Sequence, residues 1–573
     1  MLDARMEAIA LALAGIERVW TEVRRTPWVQ RGLGLPVDRL PDIGESAVDA
    51  RSLRAAEALV ALDRVDASIL PRDIQLTCSV ARITATRMAA EADRYWLAFD
   101  PLGIGLFAMF APTAYGGGFL LGHVGGMLSN YRFEASGDLH RYLGLLEDYG
   151  RLIDQMRERT AGQADRGIRI PRPQLQQSIE LVSRFRAGSA ALAPALDRLG
   201  RIDAGPAAAS IRERLAKAVV PAFDRLLALL TGPDYFARAP EEVGIAQYPG
   251  GVALYRELVR EHTTLEVSPE EAHAEGLRRL SAIHAEMAAL TKEAGFEGSA
   301  QDYLAAIARD PRWRATDAQG IGSYFSRYLD RIAPHLDTVF RFKPRAPHAA
   351  EPLPESLAGS MTFGYYDAPS PGQPAGRYLF NATNLAAGPL ANIASLSYHE
   401  LVPGHHFHLA SQRENEILHP LRANALFNAF NEGWAEYAAT LAGELGMYQA
   451  SEERFGRLTM DAFLACRLVV DTGMNALGWT LEQARTFMRE NAFMPEAEVR
   501  SESIRYSCDI PGQSLAYKLG EYFLVAKREE MRARLGARFD LRDFHDAVLE
   551  PGGLPLSLVA DNIAAATERL VAA

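Results

Sequence analysis

The sequence predicts a mainly helical protein in two lobes, with one small β-hairpin beside a helix rich in metal-binding side chains. Three observations carry this. Apolar residues recur at spacings of three and four over most of the chain, the period of an amphipathic helix. The only convincing strand pair is Met361–Tyr366 and Gly376–Asn381, joined by the turn residues Pro369-Ser370-Pro371-Gly372. At 573 residues the chain is too long for one simple core. We place the boundary near Gly232-Pro233-Asp234, giving an N-terminal helical lobe over 1–235 and a second lobe over 236–573 that carries the candidate metal site.

Composition narrows the class. Apolar content of 48% and charged content of 23% are ordinary for a globular protein. A net charge of −11 argues against a nucleic-acid partner or an anionic membrane surface. Cys78, Cys466 and Cys508 are widely separated and form no metal or redox motif. They point to a reducing, cytoplasmic compartment without a disulfide framework. The first twenty residues read as an amphipathic helix rather than a signal peptide. The uncharged stretch Pro101–Tyr131 is broken by glycines and Pro112, so it reads as a buried glycine-rich loop, not a membrane span. Its glycines lack the following Gly-Lys-Ser/Thr of a phosphate loop.

In chain order, helices are expected over 47–65, 80–98, 138–159, 173–187, 211–230 and 252–262. Ser268-Pro269-Glu270-Glu271 is a strong start for a helix to about Glu293: a serine cap, proline in the first turn, and acids at the positive end. The Pro-rich piece from Lys343 to Pro354 reads as a surface loop. The hairpin offers either a plain structural element or an edge on which an extended peptide adds as a strand.

The chemistry concentrates in Ser397-Tyr398-His399-Glu400-Leu401-Val402-Pro403-Gly404-His405-His406-Phe407-His408. Imidazole and carboxylate are the usual ligands of catalytic zinc. His-Glu-x-x-His would put two imidazoles on one helical face with the glutamate as base. Here the fourth position after His399 is Pro403, and the next histidines come six and seven residues on. Seven residues of straight helix rise about 10 Å, too far for two ligands of one ion. A shared metal therefore requires the helix to break at Pro403-Gly404, where proline removes a donor and glycine tolerates unusual dihedrals. The other reading is a histidine-rich helix end satisfied by solvent and backbone. A helix expected over 423–442 offers Glu432 as a third ligand. Glu436, one turn later, is either a support for a ligand or a solvated side chain.

Several ordered motifs resemble one family. They are Tyr398-His399-Glu400-x-x-Pro403-Gly404-His405-His406; Glu432-Gly433-Trp434-Ala435-x-Tyr437; Arg467 to Gly473; Gly478-Trp479; and Arg505-Tyr506 followed by Pro511-Gly512-Gln513-x-Leu515-Ala516-Tyr517. His262-Thr263-Thr264 also fits. The set resembles the bacterial domain-of-unknown-function 885 family, grouped with zinc metallopeptidases of the glutamate-zincin type. The resemblance spans roughly residues 90–560. It implies zinc, or another divalent ion, on His399, His405 and Glu432, with Glu400 as general base and a peptide or small amide as substrate. His405 is preferred to His406 because the motif fixes the histidine directly after Pro-Gly; His408 has no counterpart. The implied architecture is that of thimet-type oligopeptidases, two helical lobes about a deep channel with a small sheet at the active site. Tyr506 is expected to donate to the oxyanion, and Tyr366, Asn475, Arg505, Gln513 and Tyr517 to line the substrate site; packing is the other role open to the C-terminal members. Asn475 stands where many relatives have histidine. That departure admits an alternative, a specialised hydrolase or lyase acting on a modified amino acid; a non-catalytic peptide binder is a third reading.

Overall fold

A computed structural model describes residues 2–135, 137–193, 204–353 and 363–572. It is mainly helical with one small three-stranded sheet. The helices that frame the site are α1 (Leu2–Val23), α2 (Glu45–Asp63), α3 (Arg72–Ala89), α4 (Phe119–Ser129), α5 (Asp138–Asp165), α6 (Gly251–Thr263) and α7 (Pro269–Glu293). Strands β1 (His348–Pro352), β2 (Gly364–Asp367) and β3 (Gly376–Phe380) follow. Then come α8 (Ile393–Glu400), α9 (His405–Glu414), α10 (Asn428–Glu444), α11 (Ser451–Ala476), α12 (Glu496–Ile504) and α13 (Ala516–Leu535).

Local chemistry explains several boundaries. At α7, Ser268 accepts from the Glu271 amide and Glu271 reaches back to the Ser268 amide, so the acid and hydroxyl satisfy two free backbone donors. The stretch expected to be a glycine-rich loop instead contains a π-type turn at Ala114–Gly118 leading into α4. Apolar Phe119 to Leu128 pays for the glycines there: Leu120, Leu121, Val124 and Leu128 are all buried. At 11 residues α4 is far short of a bilayer, and no helix among the described residues is long and apolar enough to cross a membrane.

The Pro-rich piece over 343–354 is likewise more than a loop. Within it β1 pairs in parallel with β3, from His348 opposite Gly376 to Pro352 opposite Phe380. On its other side β3 pairs antiparallel with β2, from Gly364 opposite Phe380 to Asp367 opposite Arg377. The sheet order is β1-β3-β2. Both edges of β3 are therefore taken, and only β1 and β2 face outward in the sheet. Met361 and Thr362 of the expected first strand lie outside the described residues.

Two large apolar clusters make most of the core. One joins α1 to α3 with α8 to α10, the sheet and the C-terminal helices. The other joins apolar residues from Ala98 to Val259, α5 and α6 among them, with Leu40, Ile43, Ala272, Leu468, Ile510, Leu515 and Leu519. Both draw on residues from either side of position 235, so the two halves of the chain share their interiors.

Candidate metal centre

Helix α8 ends at Glu400, and α9 begins at His405. Between them Leu401 leaves helical dihedrals at φ −111°, ψ −100°, the Val402–Pro403 peptide is cis, and Gly404 sits at φ −79°, ψ −127°. The turn is tight. A Cβ built on Gly404 would lie 1.7 Å from the His399 carbonyl oxygen and 2.5 Å from that of Tyr398. No side chain fits, so glycine is required by close approach of backbone to backbone. The Trp434 indole, fully buried in α10, donates to the Pro403 carbonyl at 2.9 Å and pins the turn from outside.

The break brings His399 and His405 together, with ring centroids 4.8 Å apart and planes nearly perpendicular. Glu432 of α10 faces both: its Oε2 lies 3.6 Å from His399 Nε2 and 3.3 Å from His405 Nε2. One ligand atom from each of the three lies within 4.8 Å of the others. His399 Nδ1 meets Glu436 Oε1 at 2.7 Å. That bond fixes the proton on Nδ1 and leaves the Nε2 lone pair for a ligand. Two imidazole nitrogens and a carboxylate oxygen around one point are a donor set that fits zinc.

The electrostatics agree with a cation-seeking site. Burial opposes charge on His399, but hydrogen bonds to Glu432 and Glu436 outweigh it and lift the imidazole to about 10. Burial likewise opposes the Glu432 carboxylate, yet His405 and His399 hold it well below the usual carboxylate range. Glu400 differs. Burial pushes its carboxyl up, and the nearby histidines offset this only in part. It makes no hydrogen bond among the described residues and stands directly beside His399.

Behind His399 lies a charged wall that sequence reasoning found only in part. Glu436 Oε2 accepts from Arg457 at 2.9 Å, Arg457 also pairs with Asp461 at 2.9 Å, and Lys518 pairs with Asp461 at 2.6 Å and with Glu521. Arg457 and Asp461 are one turn apart on α11, but their burial depends on α10 and α13, which no local pattern reveals.

The neighbouring histidines divide cleanly. His406 Nδ1 meets the Tyr366 hydroxyl at 2.9 Å and Nε2 meets the Ala346 carbonyl at 3.1 Å. It is neutral, with burial taking it down to about 4, and it ties α9 to the sheet. Gly376 makes room for this contact, since a Cβ there would lie 2.2 Å from the Tyr366 hydroxyl. The Tyr366 ring stacks on His405, so Tyr366 touches the triad through its face. His408 is buried beside Asn431, and among the described residues neither of its ring nitrogens makes a well-aligned hydrogen bond.

The expected substrate residues separate into two groups. Tyr517 is half-buried and stacks on His399, 6.2 Å between centroids and 12° between planes. Arg505 donates to Gln513 at 2.8 Å and acts electrostatically on Tyr517. Tyr506 stands one layer back. It is fully buried, its hydroxyl donates to Glu502, and it accepts from Arg467 at 2.7 Å. Asn475 is not at the site surface. It is fully buried, its Oδ1 accepts from the Ile245 amide at 3.0 Å, and its Nδ2 donates to Asp471 and to the Tyr506 carbonyl. The amide is used up in holding α11 to the loops at 245 and 506, which corrects its expected place in the substrate site.

The molecule is thus a helical protein with a His-His-Glu cluster built on a broken helix. It belongs to the bacterial family of proteins of unknown function DUF885, whose profile matches residues 27–563. Two solved structures resemble it. A "putative lipoprotein" from Colwellia psychrerythraea is 24% identical with a TM-score of 0.84, over 99% of each chain. A "putative lipoprotein of unknown function" from Shewanella oneidensis is 17% identical with a TM-score of 0.73, over 97% of this chain and 99% of that one. These likenesses concern the fold. No curated protein matches.

Proposed function

We propose that the protein is a zinc-dependent hydrolase of peptide or amide bonds. The observation that carries this reading is the convergence of His399, His405 and Glu432 on one point with the buried carboxyl of Glu400 beside it. Zinc held there would polarise a carbonyl and acidify a water. Glu400 takes the proton of the attacking water and returns it to the leaving amine, a role suited to a carboxylate whose burial has raised its proton affinity. Glu436 keeps His399 in the required tautomer. Tyr517, against His399 and half-open, takes the oxyanion-donor role expected of Tyr506. The zincin-like architecture, with helical lobes about a channel, belongs to this same proposal.

The specialised-substrate alternative took its cue from Asn475, whose amide is engaged in interior bonding, so that residue does not favour it over the general hydrolase. The test is Glu400→Gln beside the unaltered protein, with metal content and hydrolysis of a mixed peptide library measured together. The variant is expected to keep one equivalent of zinc and to lose about a hundredfold to ten-thousandfold in turnover. Equal activity of the two, or a purified protein that binds no divalent metal, sinks the reading.

A further inference from the structure

Arg505 and Arg467 flank the same carboxylate, Glu502, but they are not equivalent. Arg467 donates to Glu502 at 2.9 Å and to Tyr506 and keeps 5% of its side chain exposed. Arg505 approaches Glu502 only to 3.6 Å and keeps 13% exposed. Its Nε has no partner among the described residues. Its guanidinium lies 4.7 Å over the ring of Tyr115 and stands close enough to act electrostatically on Tyr517, the ring stacked on His399. Tyr115 is itself half-buried and is held in place by Asp509, which accepts from the Tyr115 amide at 2.9 Å and from the Thr113 hydroxyl at 2.6 Å. The partly exposed members of this cluster, Arg505, Tyr115 and Tyr517, therefore stand together, one aromatic ring away from a candidate ligand. A guanidinium over one tyrosine ring, braced by an amide and with its Nε unpartnered among the described residues, is organised to receive a planar anion in its fork.

We propose that Arg505 binds a carboxylate of the substrate, so that the site favours short acyl compounds with a free carboxylate near the scissile bond, such as C-terminal residues of small peptides or N-acyl amino acids. The link to catalysis rests on the hydrolase reading above. Tyr115 and Tyr517 form the walls of this subsite. Glu502 and Gln513 set the guanidinium plane, and Glu502, engaged by Arg467 and Tyr506, pairs with Arg505 at 3.6 Å, outside hydrogen-bond distance.

The experiment uses equilibrium binding to the full-length Glu400→Gln protein loaded with zinc, so that probes are not consumed. The probes are N-acetyl-Ala-Ala, its C-terminal amide, and the amide of N-acetyl-Ala-Asp, whose only acid is the side chain. N-acetyl-Ala-Ala is expected to bind at least about tenfold more tightly than its amide, the scale of one charge-assisted contact. Adding Arg505→Met, or Arg505→Gln, should bring the acid to the level of the amide while the amide and the metal content stay unchanged. Preference for the aspartyl probe through Arg505 also supports a carboxylate subsite and moves its source to a side chain. Acids and amide binding alike, or Arg505 variants that keep metal and the original acid-to-amide ratio, overturn the proposal. If neither variant holds metal, the ratio in the Glu400→Gln protein alone decides. Turnover plays no part in the readout, so a metal-loaded protein that hydrolyses nothing would sink the hydrolase reading without touching this one.

Discussion

The two histidines of the triad are held by unlike surroundings. His399 backs onto charge: Glu436, then Arg457, Lys518, Asp461 and Glu521, all at salt-bridge distance in a buried layer. His405 backs onto little that is polar. Among the described residues its Nδ1 has no partner, the nearby His408 makes no well-aligned hydrogen bond, and the stacked Tyr366 ring covers a face. One ligand is oriented by electrostatics, the other by the shape of the backbone that carries it. A donor set can thus be assembled by two independent physical means, and each should fail in its own way.

The largest failure belongs to the backbone. Gly404→Ala puts a methyl 1.7 Å from the His399 carbonyl oxygen, and neither helix can yield without moving a ligand. We expect a loss of about 3 kcal/mol or more in stability, at the upper end of overpacking costs, together with loss of metal. Thermal melts and elemental analysis check both.

The charged wall fails more gently. Glu436→Gln keeps the shape behind His399 but removes the anion, and metal affinity should fall about 10- to 100-fold. The pH dependence gives a second handle. In the metal-free site His399 is lifted to about 10, so at neutral pH it carries a proton that the metal must displace. The competition weakens as pH rises, so apparent affinity should climb about tenfold per unit between pH 6 and 8, with one proton released on binding. In the Glu436→Gln protein that slope should lessen, because one support of the charged imidazole is gone. Metal titrations in two buffers of different ionisation heat measure the release.

The smallest effect is expected on the far side. His408→Leu replaces a buried neutral ring that makes no well-aligned hydrogen bond among the described residues, so stability should change by no more than about 1 kcal/mol, with metal content intact. A large loss of metal in this variant would erase the contrast between the two histidines.

Much of this molecule was legible where short-range chemistry decides. The start of α7 follows from Ser268-Pro269-Glu270-Glu271, and the need for a break at Pro403-Gly404 follows from helical rise alone. The strand β1 was not legible. His348-Ala349-Ala350-Glu351-Pro352 has no β-branched residue, and its pairing with β3 is parallel and non-local. Asn475 misled for a related reason: its partners, the Ile245 amide and the Tyr506 carbonyl, lie 230 and 31 residues away in sequence. The order of Tyr506 and Tyr517 could not be read either, because only packing decides which ring reaches His399.

The break at Gly404 also sets the mechanics of the site. In an unbroken helix the azimuth of one ligand is locked to that of the other by the helical period. Here His405 opens a helix of its own, so twisting or overwinding α8 turns His399 and leaves His405 where α9 holds it. The two imidazoles can be re-aimed separately, and the spacing between them is a property of a turn, free of the 3.6-residue count that fixes it elsewhere.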